Sequence, residues 1–365
     1  MSPLEATRSL WHQEAQAEIL MPTTLDSLAA LAALPFDDII DVRSPAEFAE
    51  DHIPGAINLP VLDNDERARV GTIYVQDDPF KARRVGAALV AKNAAIHLQG
   101  PLSDRPGGWR PLVYCWRGGQ RSGSFTVILQ QVGWRADTVA GGYKSFRRLV
   151  VRALYDAPLP HRIVLIDGGT GTAKTALLGH LAEVGAQVID LEGMANHRGS
   201  VFGAMGAQPA QKMFESRIAM ALAGCEPARP VFVEAEGNKV GNLLVPPALW
   251  KAMQTAPRIE VSAPLEARVG FLQTAYADLV EDAGRLAARL DALRPYHGAE
   301  TVADWTGWAR EGRFADLARA LITAHYDPRY ARKAETRQPA QVLEVAGLGP
   351  KDLRDAALRI IAMTG

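Results

Sequence analysis

Arg162-Ile163-Val164-Leu165-Ile166-Asp167-Gly168-Gly169-Thr170-Gly171-Thr172-Ala173-Lys174-Thr175 is the stretch that decides the fold class. Four consecutive aliphatic residues read as a strand buried on both faces, and the glycine-rich turn after them opens a helix over Lys174 to Val184. The spacing G-x-x-x-x-G-K-[ST] brings backbone N–H groups, a helix N-terminus and a lysine to one point, which cradles phosphate, and Thr175 stands where a hydroxyl can hold Mg²⁺. One position departs, since Ala173 replaces the second glycine. If the backbone there needs positive φ, a Cβ costs free energy or reshapes the loop; nucleotide turnover is then in question, phosphate binding less so. The plainer reading is a ligand-free strand–helix turn, and Lys174-Thr175 at the required offset argues against it.

This is the P-loop layout, and the pattern around it alternates. Strands over Gln187–Leu191, Pro230–Glu234 and Arg258–Val261 are separated by helices over Gln208–Ala223 and Pro246–Met253, with helix again from Pro264. Such alternation predicts an open α/β sheet, with ligands beyond the carboxyl ends of its strands. Asp190, Glu192, Glu234 and Glu236 lie there as candidate metal ligands or water-orienting carboxylates, with the metal itself unknown. His197 and Arg198, followed by Gly199 and Ser200, suit a phosphate or RNA. From about Tyr276 to Gly365 the strand signal vanishes and helical periodicity dominates.

A second alternating block precedes the first. Asp37–Val42 reads as a strand, and Ser44-Pro45-Ala46-Glu47 as a helix start with an N-cap serine, a first-turn proline and a glutamate at N3. Strands over His52–Leu59, Pro111–Tyr114 and Ala136–Val139, with helices over Pro79–Lys92 and Ser122–Val132, complete a parallel sheet. Cys115-Trp116-Arg117-Gly118-Gly119-Gln120-Arg121-Ser122 leaves the third strand and opens a helix. Glycines let N–H groups converge on an anion, and the helix start with Arg121 favours the nucleophilic thiolate of Cys115 over a merely buried thiol. Cys225, at a helix end, lacks such neighbours and reads as a small hydrophobe. Tyr143, Lys144, Arg147 and Arg148, then Arg152, interleave cations with aromatics; they suit phosphate contact and base stacking, or equally a basic amphipathic helix joining two domains. Lys81, Arg83, Arg84 and Lys92 form a weaker basic set.

Composition narrows the field. At 365 residues the chain is long enough for two or three domains, and 48% hydrophobic with 22% charged residues argues against disorder and coiled coil. Forty Lys+Arg against 41 Asp+Glu give a net charge of -1, so nucleic-acid contact needs a local basic surface. Two cysteines outside any C-x-x-C pair suit a reducing compartment. The first twenty residues carry Glu5, Glu14 and Glu18 without the apolar core of a signal peptide, and no run of about 18 apolar residues suggests a membrane span. A cytoplasmic location is expected.

Asp41-Val42-Arg43-Ser44-Pro45-Ala46-Glu47-Phe48, His52-Ile53-Pro54-Gly55-Ala56-Ile57-Asn58 and the Cys115 loop resemble the rhodanese homology domain, whose cysteine carries a persulfide or related chalcogen. The loop from Cys115 to Arg121 spans seven residues where many rhodaneses have six. That is the length with which tyrosine-phosphatase-like enzymes hold phosphate, so a phosphate-bearing donor is expected here. A rhodanese-like domain ahead of a P-loop domain resembles the bacterial tRNA 2-selenouridine synthase family. Further residues carry that likeness: Pro60-Val61-Leu62-Asp63, Gly141-Gly142-Tyr143-Lys144, Asp190-Leu191-Glu192-Gly193, His197-Arg198-Gly199-Ser200, Glu234, Glu236, Gly241 and His325-Tyr326-Asp327-Pro328. Ala173, and Asn238 where a basic residue is common, depart from the family pattern.

The alternating pattern and the proline-rich stretch Asp156-Ala157-Pro158-Leu159-Pro160 divide the chain into an N-terminal extension over 1–30, a rhodanese-like domain over 31–150, a linker over 151–161, a P-loop α/β domain over 162–275 and a helical region over 276–365. The resemblance implies replacement of sulfur by selenium at C2 of wobble 2-thiouridine in tRNA, with selenophosphate as donor and S-geranylation from geranyl diphosphate on the way. Cys115, with Arg121, would relay the chalcogen, and Gly168–Thr175 would hold a diphosphate. A selenophosphate-supplying enzyme is an expected partner and a membrane is not. Two other readings remain open: an ATP-dependent tRNA thiolation enzyme, and a binding module that senses redox state through Cys115.

Overall fold

The computed structural model describes residues 21–199, 202–203, 205–334 and 340–364; residues 1–20 of the expected N-terminal extension, and Ser200, lie outside the described residues. The chain separates into two units, Met1–Phe48 with Gly55–Arg147 and Ala49–Pro54 with Arg148–Gly365.

In the first unit, strands β1 (Asp38–Asp41), β2 (Ile57–Asn58), β3 (Pro111–Tyr114) and β4 (Asp137–Thr138) form a sheet in the order β2-β1-β3-β4. Every pairing is parallel, as the alternating pattern requires. β3 is buried along its whole length, which is why it reads as an unbroken apolar run. Helices Pro79–Gln99 and Gln120–Val132 supply Val90, Ala94, Phe125 and Leu129 to the core over this sheet. A further helix, Asn64–Gln76, was not anticipated by periodicity because none of its residues is buried. Its start was legible nonetheless: Asp63 accepts from Glu66 N while Glu66 reaches back to Asp63 N, a capping box.

In the second unit, β5 (Arg162–Asp167), β6 (Gln187–Ile189), β7 (Pro230–Glu234), β10 (Arg258–Ser262) and β11 (Ala340–Glu344) form a parallel sheet in the order β11-β10-β5-β7-β6. β8 (Lys239–Val240) and β9 (Leu243–Leu244) make a small antiparallel hairpin. β5 lies between β10 and β7, and Ile163 to Ile166 are buried, so the glycine-rich turn leaves an interior strand at its carboxyl end.

β11 corrects the expectation that strands end before Tyr276. Residues 340–344 pair in register with all of β10, and the helix Pro350–Thr364 buries Leu353, Ala356, Ala357 and Ile360 in the cluster that holds Leu177, Leu178 and Leu181 of the helix Lys174–Glu183. A short edge strand with Val342 exposed gives too weak a hydrophobic period to stand out among helices. Most of the other described residues after Tyr276 are helical, with their own core around Leu286, Leu290, Leu293, Trp305 and Leu317. The expected linker over 151–161 is also helical in part: Tyr143–Val151 is an α-helix continued by a π-helical turn, Arg152–Asp156. Among the described residues no helix is long and apolar enough to cross a membrane.

Candidate active sites

Cys115 follows β3 directly and lies against the start of the helix Gln120–Val132. Its Sγ accepts from Gly119 N at 3.3 Å and from Ser122 Oγ at 3.2 Å. Burial pushes the thiol up, but the Ser122 hydroxyl and N–H, Gly119 N–H and the charge of Arg121 outweigh it, and the thiol settles below its ordinary value. Gly118 is at φ +66, where a Cβ would stand 2.7 Å from Val139 O, so the loop closes only with glycine. Arg121 reaches Glu47 at 2.7 Å; burial works against that carboxylate, yet the pair holds it below the usual range. By contrast the Cys225 thiol is pushed up by burial, in keeping with a structural role.

The first unit's signature residues support this loop from below. Arg43 and Asp41 form a fully buried pair at 2.7 Å, and the Arg43 guanidinium lies 4.1 Å from the Tyr143 ring centroid. Tyr143 stacks on Trp116, and its N–H donates to Cys115 O at 2.8 Å. Of the two readings open for this stretch, the burial of Tyr143 and Phe146 disfavours base stacking and fits the basic amphipathic helix. What the helix Tyr143–Val151 presents outward is cationic, with Lys144 and Arg148 exposed and Arg147 half-buried.

If the Ser122 hydroxyl holds the thiolate, Ser122→Ala raises the pH midpoint of Cys115 alkylation by about one unit, since one hydrogen bond to a charged group is worth roughly 1.5 kcal/mol. An unshifted midpoint would assign the effect to the backbone alone.

In the second unit the turn Gly168–Ala173 wraps the end of β5. Lys174 Nζ donates to Gly168 O at 2.9 Å and to Gly169 O at 3.4 Å, and Thr172 Oγ1 donates to Gly169 O at 2.9 Å. Ala173 sits at φ 60, ψ 30, in the left-handed region, so this position does need what glycine supplies freely. Ala173→Gly is therefore expected to stabilise the chain by about 1 kcal/mol, the relief of a Cβ in that region less glycine's greater unfolded-state freedom. A lower thermal midpoint for this variant would contradict it.

Sequence reasoning missed Arg268, which locks the turn. Its Nε and Nη2 donate to Thr170 O at 2.9 and 2.7 Å, and its Nη1 to Asp327 Oδ2 at 3.0 Å. No local pattern marks a residue whose partners lie 98 and 59 positions away.

The four carboxylates divide. Asp190 caps the short helix Leu191–Met194 through Gly193 N at 2.7 Å. Glu234 is fully buried, accepts from Leu191 N at 3.0 Å, and is pushed well above the carboxylate range by burial and by Asp190 and Glu192. Glu234 Oε1 is buried without a hydrogen-bond partner among the described residues, and the nearby Asp190 carboxylate favours the protonated form of Glu234. Glu192 accepts from Thr175 Oγ1 at 2.8 Å, and burial together with Glu236 raises it to about 7. Asp190, Glu192 and Glu236 border a cavity of about 370 Å³ with Lys174, Thr175, His197 and Arg198. The His197 imidazole is pushed down by burial and accepts from Gly199 N at 3.0 Å; Arg198 lies over Tyr276. Among the described residues no three His, Cys, Asp or Glu side chains converge as a metal cage.

A second cavity beside Thr170 is almost wholly apolar, lined by Phe202, Leu272, Leu279, Phe314, Leu317 and Leu321 among others.

Comparison with known proteins agrees with this two-unit design. Residues 24–149 match the rhodanese-like domain, and residues 161–297 match the tRNA 2-selenouridine synthase AAA domain. The chain is 35% identical over 300 residues to the tRNA 2-selenouridine synthase of Chromohalobacter salexigens, covering 78% of this chain and 74% of that one. It is 33% identical to the protein of that name from Hahella chejuensis (82% and 86% covered) and to that from Pseudomonas syringae pv. syringae (88% and 95%). With both units matched in order and relatives of this identity spanned over most of their length, the chain belongs to the tRNA 2-selenouridine synthase family.

Proposed function

We propose that the chain replaces the C2 sulfur of wobble 2-thiouridine in tRNA by selenium, with selenophosphate as donor and geranyl diphosphate as the source of a transient S-geranyl group. The observation that carries this reading is the pairing, in one chain, of a thiol held toward its thiolate with a glycine-rich, lysine-bearing turn that borders an apolar cavity. Geranyl transfer needs both features of the second unit. The turn and Lys174 bind the diphosphate that leaves as sulfur is alkylated, and the apolar cavity takes the prenyl chain out of water. Alkylation turns a poor leaving group into a thiolate that departs when the selenium of selenophosphate attacks C2, and water then takes the phosphoryl group from selenium. Cys115 and the N–H groups of its loop receive the anionic selenium donor, and Arg121 contributes positive potential there. Lys144, Arg147 and Arg148 provide the local basic surface that a chain of net charge -1 needs to hold tRNA.

Mg²⁺ suits the diphosphate cradle. Thr175 Oγ1 and Glu192 offer hard oxygen donors at the helix start, with water and diphosphate oxygens to complete the shell, the manner in which Mg²⁺ is usually held. The ion would neutralise the leaving diphosphate. A selenophosphate-supplying enzyme is the partner this chemistry calls for.

The test is mass analysis of nucleosides from 2-thiouridine tRNA incubated with the protein and each donor. Geranylated thiouridine with the prenyl donor, and selenouridine when selenophosphate follows, are expected. Thiouridine unchanged by both donors overturns the reading, and ATP consumption coupled to new thiolation would replace it with the ATP-dependent alternative.

A further inference from the structure

The face of the phosphate-binding turn toward the C-terminal helices holds a third cavity, bordered by Gly168, Lys174 and Glu236 on one side and by Tyr296, His325, Arg329 and Tyr330 on the other. His325 comes from a π-helical turn, Leu321–Tyr326, an irregularity that is frequent at functional sites. The proton on its ring is fixed by its neighbours. Arg329 Nη1 lies 2.7 Å from His325 Nδ1, and a guanidinium only donates, so Nδ1 is an acceptor. His297 Nε2 lies 2.8 Å from the same nitrogen and donates to it as well. The imidazole hydrogen is therefore on Nε2, which has no protein partner among the described residues. Burial, Arg329 and His297 together push His325 down to about 4, so the ring stays a neutral donor at physiological pH. Around it the cavity is aromatic and cationic: Arg329 lies 4.5 Å from the Tyr296 ring centroid, and Tyr326 and Tyr330 complete the wall.

We infer that this cavity receives the base of the modified uridine, with His325 Nε2–H donating to an exocyclic acceptor of the ring. The inference rests on the function proposed above and adds to it the place of the acceptor. A 2-thiouracil edge presents acceptor, donor, acceptor. The imidazole and guanidinium supply donors, and the Glu236 carboxylate supplies an acceptor. Flat tyrosine faces suit a planar heterocycle. Lys174, Gly199 and Glu236 border both this cavity and the acidic one, and Thr170 borders the apolar one too, so a base seated here meets a diphosphate-bearing carbon at the turn. A phosphate alone would need neither the fixed imidazole donor nor three tyrosines.

Two experiments on the full chain test the inference. An anticodon stem-loop RNA carrying photoreactive 4-thiouridine at the wobble position is cross-linked and the attached peptide mapped. Attachment within 294–297 or 325–330 supports the inference; attachment elsewhere only, or none while the RNA is bound, overturns it. This readout needs no turnover, so it stands apart from failure of the proposed activity. In the second, His325→Phe keeps a ring without a donor, and His325→Gln returns an N–H near the Nε2 position. The geranylation kcat/KM for 2-thiouridine RNA is expected to fall about tenfold in the first and to recover partly in the second, the scale of one hydrogen bond. Geranyl diphosphate affinity is expected to stay unchanged in both. Equal kcat/KM in wild type and His325→Phe, or parallel loss of diphosphate affinity, overturns it.

Discussion

Cys115→Ser is expected to halt selenium incorporation while geranylated thiouridine still forms and accumulates. The hydroxyl keeps the size and hydrogen-bond partners of the thiol, so the loop closed by Gly118 and Gly142 persists. What disappears is the group the surroundings were arranged to ionise: Ser122, Gly119 N–H and Arg121 bring a thiol below its ordinary value, but a serine hydroxyl titrates far beyond their reach. Removal of an activated nucleophile of this kind costs roughly 10⁴-fold or more in turnover. Nucleoside mass analysis reads both products in one digest. Undiminished selenouridine from the serine variant would show that Cys115 takes no part in delivering selenium from its donor.

Lys174→Ala is the mirror experiment. The ammonium donates to Gly168 O and Gly169 O and borders both polar cavities at the turn, so a diphosphate bound there meets it directly. Loss of one preorganised donor to a developing anion lowers turnover by about 10²–10³-fold, and geranyl transfer should fall by that factor. The turn itself should survive, because Arg268 grips Thr170 O and Thr172 grips Gly169 O independently of the lysine. tRNA already carrying the S-geranyl group should still be selenated at the wild-type rate. Loss of that second step would place selenium chemistry at the turn as well.

Much of this design could be read from the amino acids because the chemistry is written locally. The turn between Ile166 and Lys174, and the loop between Tyr114 and Ser122, each place their polar groups within ten residues of a buried strand, where spacing alone fixes the arrangement. Even the cost of Ala173 follows from one residue and one dihedral region. What stayed hidden depends on distance along the chain. Arg268 gains meaning only from Thr170 and Asp327, and the His325 tautomer only from Arg329 and His297. Tyr143 stayed undecided for a related reason: aromatics interleaved with cations look the same whether they face solvent or, as here, pack against a buried arginine. β11 was hidden because a five-residue edge strand is specified by its partner β10 rather than by its own period.

That late strand bears on the order of events at the ribosome. Residues 340–364 complete the sheet and cover the helix that begins with Lys174, so about half the polypeptide is synthesised between the turn and the segment that seals its flank. While translation proceeds, β10 offers an open edge to any chain nearby, and an early stop ahead of residue 340 would leave a nascent product exposed to aggregation.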